Sequence, residues 1–429
     1  MQFRRMLLVR QYFPDRGIQD VPAEVDRQLS RAAFAARLKP GSRIAIGVGS
    51  RGIANIATIV RSVVAFWRSK GMQPFIFPAM GSHGAASAEG QADVLKNYGI
   101  QESTVGCPVI SSLEVVPLGK TPEGLETFMD RQAYESDGVF LVNRVKWHTD
   151  FVGKIESGLF KMMAIGLGKF AGAQRYHACG YRIGLEEMIL QVGRQVLKSS
   201  KILGGLAILE DANHATAHLE AVVAEEMERR DEELLVLVKS WMGRIPVQEL
   251  EILIVDQIGK EISGAGMDTK IVNRSINCAY NPWSNAPLIH RIFVRDLSRL
   301  TYGNGVGVGM ADVVHGRVLE KIDWTPTHIN SLTSSTPACI RTPIHFPSDR
   351  ECLQKIAATV GKLDPREIRV GWIRDTMQLN LLALSENLLP EIQQNPDLQV
   401  LGPPRDLEFD RDGNLASLLV PAGEPAWAW

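Results

Sequence analysis

Residues 148–177 concentrate side chains that are fit for chemistry. The stretch opens on His148 and closes on His177, with Ser157, Gly158, Lys161 and the glycines Gly166, Gly168 and Gly172 between them. Histidines and lysines beside glycine-rich turns are reactive groups on backbone that can approach a ligand closely. Two further turns carry similar groups: Ser50 and Arg51, and the run Gly81, Ser82, His83, Gly84. Taken singly, each has a structural alternative as a helix cap, a turn residue or a surface lysine.

The elements that must position these groups are legible as hydrophobic patterns. Residues 43–49, 73–77 and 138–143 are short apolar runs that predict buried strands, and 202–209 predicts another. Residues 53–70 carry apolar side chains at helical spacing, 88–97 predict a helix, and 215–242 read as largely helical. Arg51 follows the first strand, His83 the second and His148 the third. In open α/β sheets ligands bind outside the carboxyl ends of the strands, so these three turns are expected to share one edge. Strand–helix alternation predicts α/β architecture with mostly parallel sheets.

A second alternation begins at 250–256 and continues through 291–297, 366–374 and 377–384. With 429 residues the chain exceeds one ordinary core. We expect two α/β domains, 1–245 and 246–394, the tail 395–429 returning to the first and the site in the cleft between them. A hairpin turn is expected at 409–414.

Bulk composition excludes several classes. A net charge of −1 gives no electrostatic footprint for nucleic acid or an anionic membrane. Five cysteines, odd in number, widely spaced and without CxxC, argue against a disulfide scaffold or zinc knuckle and fit a reducing compartment. No run of 18 apolar residues exists, and the amino-terminal apolar run is too short for a signal peptide, so a cytoplasmic location is expected. The mixed-charge run 225–233 reads as a solvated helix face.

Other motifs compete for attention. Gly47, Gly49 and Gly52 match GxGxxG between a strand and a helix, but no acid closes the second strand to hold a ribose. A nicotinamide oxidoreductase using this turn is the alternative reading. The glycines of 303–309 lack the P-loop Lys-Ser/Thr and read as a tight packing turn. His214 and His218 stand four apart, as on a helix face, without the HExxH order. Cys179 reads as a small buried apolar residue rather than a soft-metal ligand.

The remaining constellation resembles the lactate racemase family, the nickel-pincer-nucleotide-dependent 2-hydroxyacid racemases and epimerases. The resemblance runs from about Ile44 to Gly180 and is loose beyond. Ser50 and Arg51 stand where the family has Thr-Arg. Gly81, Ser82 and His83 match its Gly-x-His. Ser157, Gly158 and Lys161 match its Ser-Gly-Gly-x-Lys, and His177 falls sixteen residues past Lys161, as in the family. The resemblance implies that Lys161 tethers a nickel-pincer nucleotide and His177 ligates its nickel, with Ser157, Gly158 and Ser50 beside the cofactor. It implies His83 and His148 as acid/base pair and Arg51 as the partner of a substrate carboxylate. Two bases suit inversion of a carbinol centre, one for each orientation of the hydroxyl.

The implied partners are a small hydroxy acid and the enzymes that supply the cofactor, with a homo-oligomer as a further expectation. The sequence departs from the family at Val48, Gly84 and Leu159, and the stretch from His148 to Lys161 is longer. The family's Tyr-Gln-x-x-Lys is not recognisable where 259–270 stand. These changes fall mainly on the substrate side, so a hydroxy acid other than lactate is expected. A relative that binds the cofactor without catalysis is a third reading.

Overall fold

The computed structural model describes residues 2–32, 34–49, 52–277 and 286–419. The chain divides into two compact units, Asp15–Met242 and Met1–Pro14 with Gly243–Trp429. Both are α/β with mostly parallel sheets.

Strand β1 (Met6–Gln11) precedes the unit Asp15–Met242. That unit holds β2 (Arg43–Val48), β3 (Gln73–Pro78), β4 (Val115–Lys120), β5 (Glu126–Asp130), β6 (Gly138–Arg144), β7 (Ile202–Glu210) and β8 (Thr216–Val223). Five of them form a sheet in the order β3-β2-β6-β7-β8, parallel except at β8. β4 and β5 form an antiparallel pair. The parallel strands are apolar along their length because both sheet faces are covered. Alternate residues serve the two cores: Ile44, Ile46, Phe140 and Val142 on one face, Ala45, Phe77, Val139 and Leu141 on the other. Helix Ile56–Ser69 buries Ile56, Ile59, Val60, Val63, Val64, Phe66 and Trp67 on the first face. Helices Leu185–Leu197 and Met227–Trp241 cover the second.

From β2 the chain passes outward to β3, then returns to the opposite side of β2 as β6. The strand order therefore reverses between β2 and β6, and the carboxyl ends of these two strands flank the crevice where such sheets bind ligands.

One expectation fails here. Residues 215–242 are not one helical stretch: β8 pairs with β7, and the helix starts at Met227. His214 lies in a turn with φ +59°, and His218 on β8 contacts Glu220, so the two histidines share no helix face.

The other unit contains β9 (Glu249–Ile258), β10 (Leu288–Leu297), β11 (Val313–His315), β12 (Ile344–Phe346), β13 (Val370–Ile373), β14 (Leu381–Ser385) and β15 (Leu398–Val400). Its sheet runs β12-β11-β10-β9-β13-β14-β1-β15. β1 therefore belongs here, not with the residues that follow it. The tail also stays here instead of returning to the first unit. Arg405 and Met6 exchange backbone hydrogen bonds, the Leu415 N–H donates to Asp349 Oδ2 at 2.9 Å, and Leu415, Leu418 and Leu419 join the core that holds Met6 and Leu8. The apolar side chains of β1 and of the tail share one buried cluster, which is the physical reason for the difference. The turn 409–414 closes with Asp410 N–H donating to the Asn414 carbonyl at 2.8 Å. The glycines of 303–309 pack closely: a Cβ on Gly307, whose φ is +102°, would lie 1.9 Å from the Ala265 carbonyl oxygen. Among the described residues no helix is long and apolar enough to cross a membrane.

Candidate functional site

The carboxyl ends of β2 and β6 meet the segment that follows Lys161. A Cβ on Gly49 would lie 3.2 Å from Asn143 Oδ1 and 3.2 Å from Met162 Cε, so only a bare backbone passes easily here. Asn143 Nδ2 donates to the Gly158 carbonyl at 2.6 Å. Lys146 and Ser157 exchange backbone hydrogen bonds of 2.9 and 3.1 Å, which closes the neck of the loop between them. Ser157 and Gly158 are thus fixed at the switch point of the sheet. Ser50 and Arg51, next along the β2 turn, lie outside the described residues.

Lys161 ends the single helical turn Leu159–Lys161, and a π-helical turn, Met162–Gly166, follows directly. Such turns recur at functional sites. The amino end of the turn is capped from a distance: Asp231 Oδ2 accepts the Phe160 N–H at 2.7 Å. Asp231 is buried, its Oδ1 has no hydrogen-bond partner among the described residues, and burial pushes its carboxyl up to about 7. A Cβ on Gly158 would lie 2.4 Å from that carboxylate, which explains the glycine.

His177 sits on helix Lys169–Ile183. It keeps part of its surface, yet the surrounding protein pushes its imidazole down to about 4, and the Lys161 ammonium acts in the same direction. The two residues therefore lie within electrostatic reach, and His177 is neutral at pH 7, the form that binds metals. The preceding Tyr176 orients this helix: its hydroxyl accepts the Phe128 N–H at 2.9 Å, and its ring lies where a Cβ on Gly168 or Gly172 would clash, at 2.6 Å.

His83 precedes the short turn Gly84–Ala86. Gly84 has φ +62°, and a Cβ there would lie 2.3 Å from the Gly90 backbone, so an arginine after His83 does not fit this loop. Gly81 faces Ala173 and Ile165, at 3.0 and 3.2 Å from a Cβ placed on it. The His83 loop therefore packs on the same segment that links Lys161 to His177.

His148 lies in the loop closed by Lys146 and Ser157. Its Nδ1 accepts the Asp150 N–H at 3.1 Å, and its ring packs on Phe151 at 4.6 Å between centroids. A neutral ring that accepts at Nδ1 carries its proton on Nε2. Buried Glu156 accepts the His148 N–H at 2.5 Å, the Gly153 N–H at 3.2 Å and the Lys239 ammonium at 2.5 Å. Glu186 accepts the Lys154 N–H at 2.5 Å. The extra length before Ser157 is thus a loop stapled by two carboxylates.

Sequence reasoning missed Asp231, Glu156 and Asn143. One signal was available for Asp231. Met227, Asp231, Leu234, Leu235 and Val238 fall on one helix face, so this acid interrupts an apolar stripe rather than belonging to the solvated face of 225–233.

Two competing sites are weakened by geometry. At the GxGxxG turn the Ala54 N–H donates to Glu210 Oε1 at 2.6 Å, and Glu210 pairs with Arg144. A carboxylate stands where a dinucleotide would bring phosphate. In the other unit Glu249, Glu251 and His290 approach one another closely enough to hold a metal ion. Arg369 already pairs with Glu249 at 2.7 Å and Glu251 at 2.6 Å, so a cation there would have to displace a guanidinium.

No family model matches this sequence, and no curated protein matches it. Among solved structures, the lactate racemase apoprotein of Thermoanaerobacterium thermosaccharolyticum is similar over 87% of this chain and 98% of its own, with a TM-score of 0.50 and 14% identity. A protein of Thermotoga maritima is similar over 69% of this chain and 73% of its own, with a TM-score of 0.49 and 13% identity. The first likeness shows a shared fold of two α/β units.

Proposed function

We propose that this chain is an isomerase that racemises or epimerises a 2-hydroxy acid with the help of a nickel-pincer nucleotide held by Lys161 and His177. The observation that carries the proposal is that Lys161 and His177 stand on one folded segment packed against the ends of β2 and β6, within electrostatic reach of each other. The residues fit such a group: a neutral imidazole is a ligand for nickel, and a lysine within reach of it supplies an amine for a covalent tether. Ser157, Gly158 and Ser50 would line it. When bound, the group supplies reversible acceptance of hydride from the carbinol carbon.

The chain's own residues would do the rest. Arg51 would pair with the substrate carboxylate and fix its orientation. His148, protonated on Nε2 at rest, would offer a proton to an oxygen, and His83 would take one from the hydroxyl on the opposite face. Acting as a base through Nε2, His148 must move its proton to Nδ1 and give up the bond from Asp150. The changed His148 loop favours a hydroxy acid other than lactate.

The test is to produce the chain together with enzymes that make the cofactor, then measure intact mass and bound nickel. An adduct lost on Lys161→Ala, and nickel lost on His177→Ala, are expected. Protein with neither adduct nor nickel, indifferent to both changes, sinks the proposal. Nickel and adduct without turnover across a panel of hydroxy acids would leave a cofactor-binding protein.

A further inference from the structure

One charged side chain has been taken out of water beside this site without being placed in its chemistry. Lys169 is fully buried, and so are Asp130 and Gln91. The Lys169 ammonium donates to the Pro78 carbonyl at 2.7 Å and to Gln91 Oε1 at 2.6 Å, and Asp130 Oδ2 stands 3.7 Å away. Gln91 Nε2 donates onward to the carbonyls of Gly81 at 3.0 Å and Met80 at 3.3 Å, and reaches that of His83 at 3.5 Å. Both ends of the Gln91 amide are thereby assigned: its oxygen faces an ammonium and its nitrogen faces carbonyls.

Packing alone does not explain this arrangement. Apolar side chains at 169 and 130 together would fill similar space without burying charge, and replacing a whole buried ion pair by apolar groups is often neutral or stabilising. Lys169 is also strained, with φ +53° at a residue that is not glycine. Strain of this kind persists where the surroundings over-determine it, and it gathers at functional sites. Apart from the ion pair with Asp130, the contacts of Lys169 run in one direction. They join the segment between Lys161 and His177 to the end of β3 and, through Gln91, to the backbone on both sides of Ser82.

We propose that Lys169 is a positioning residue that latches the His83 loop, through Gln91, onto the segment bearing Lys161 and His177. The role given to His83 rests on the racemase reading, whereas the latch can be tested without it.

The experiment is hydrogen exchange followed by mass spectrometry on the full chain, with Lys169→Met, Gln91→Met and the double variant. Amides of 79–87 are expected to exchange roughly ten-fold faster in each single variant, while those of 43–48 keep their wild-type protection. The double variant is expected to be no worse than the more affected single one, because both changes break one contact chain. Should Lys169→Met fail to fold, Gln91→Met carries the test, since Lys169 keeps its Pro78 carbonyl there. Unchanged protection of 79–87 in a folded Gln91→Met protein overturns the latch, as does an equal loosening of 43–48. Gln91→Glu gives a second readout: it keeps an acceptor for Lys169 but no donor for the carbonyls of Gly81 and Met80, so 79–87 should loosen there too, and wild-type protection of 79–87 in that variant also overturns the latch. If the exchange changes appear but the loaded protein turns over no hydroxy acid, the latch stands and the racemase reading falls.

Discussion

Folding alters the protonation of two side chains near Lys161, His177 and Asp231, and their effects on stability have opposite signs. Folding pushes His177 from 6.5 down to about 4. The unfolded chain therefore gains a proton as pH falls below 6.5 while the folded chain does not, and stability is lost between 6.5 and 4. From pH 7.5 to 5 the full loss would be about 2 kcal/mol, and the partial exposure of His177 reduces it to about 1 kcal/mol. A His177→Gln variant should lack this slope in urea titrations at the two pH values; parallel slopes would show that His177 protonates freely in the fold. Asp231 runs the other way. Its carboxyl rises from 3.8 to about 7, so its contribution is complete below 3.8 and is lost as pH climbs through 7. Asn in its place keeps an acceptor for the Phe160 N–H but has no proton to lose. Between pH 6 and 8 the balance should move in favour of Asp231→Asn by about 1 kcal/mol. A difference independent of pH would mean that Asp231 is ionised throughout.

The turn around Lys161 shows how one element depends on another far away in sequence. Gly158 leaves room for Asp231, so Gly158→Ala should cost about 1–3 kcal/mol by forcing a Cβ against the carboxylate. Combining it with Asp231→Ala should recover part of that loss, which thermal unfolding of the four proteins would reveal; strictly additive losses would argue against the clash. This dependence also marks where the sequence stops being legible. Strands β2, β3, β6 and β7 could be read because burial on both faces makes them continuously apolar. β8 could not, since it runs with only three intervening residues into helix Met227–Trp241 and blends with its periodicity. β11 and β12 have three residues each, too few to show any period. In the site, Lys161 and His177 were legible because their spacing lies within one segment. The groups that hold them were not: Asp231 reaches Phe160 across 71 positions, and Lys169 reaches Gln91 across 78 and Pro78 across 91. Such partners become neighbours only through the strand order.

At the scale of the whole chain, the division into units predicts what can be cut apart. Residues 15–242 contain a complete sheet with a core on each face, and they carry every residue proposed for the cofactor and for acid/base work. Residues 243–429 do not contain a complete sheet, because β1 stands between β14 and β15. Met6, Leu7, Leu8 and Val9 are all buried there, and each such side chain contributes about 1.5–3 kcal/mol. Together they match much of the 5–15 kcal/mol that typically holds a domain folded. Removing them also takes from β15 its strand partner among the described residues. A fragment of 15–242 should therefore unfold cooperatively on its own, while a fragment of 243–429 should lack a cooperative transition. Adding a peptide of residues 1–14 should restore one, in proportion to its concentration, because the strand binds the folded state alone. Circular dichroism during peptide titration checks this. A cooperative transition in 243–429 without the peptide would show that β1 covers a sheet already stable, and that the first fourteen residues are not what completes it.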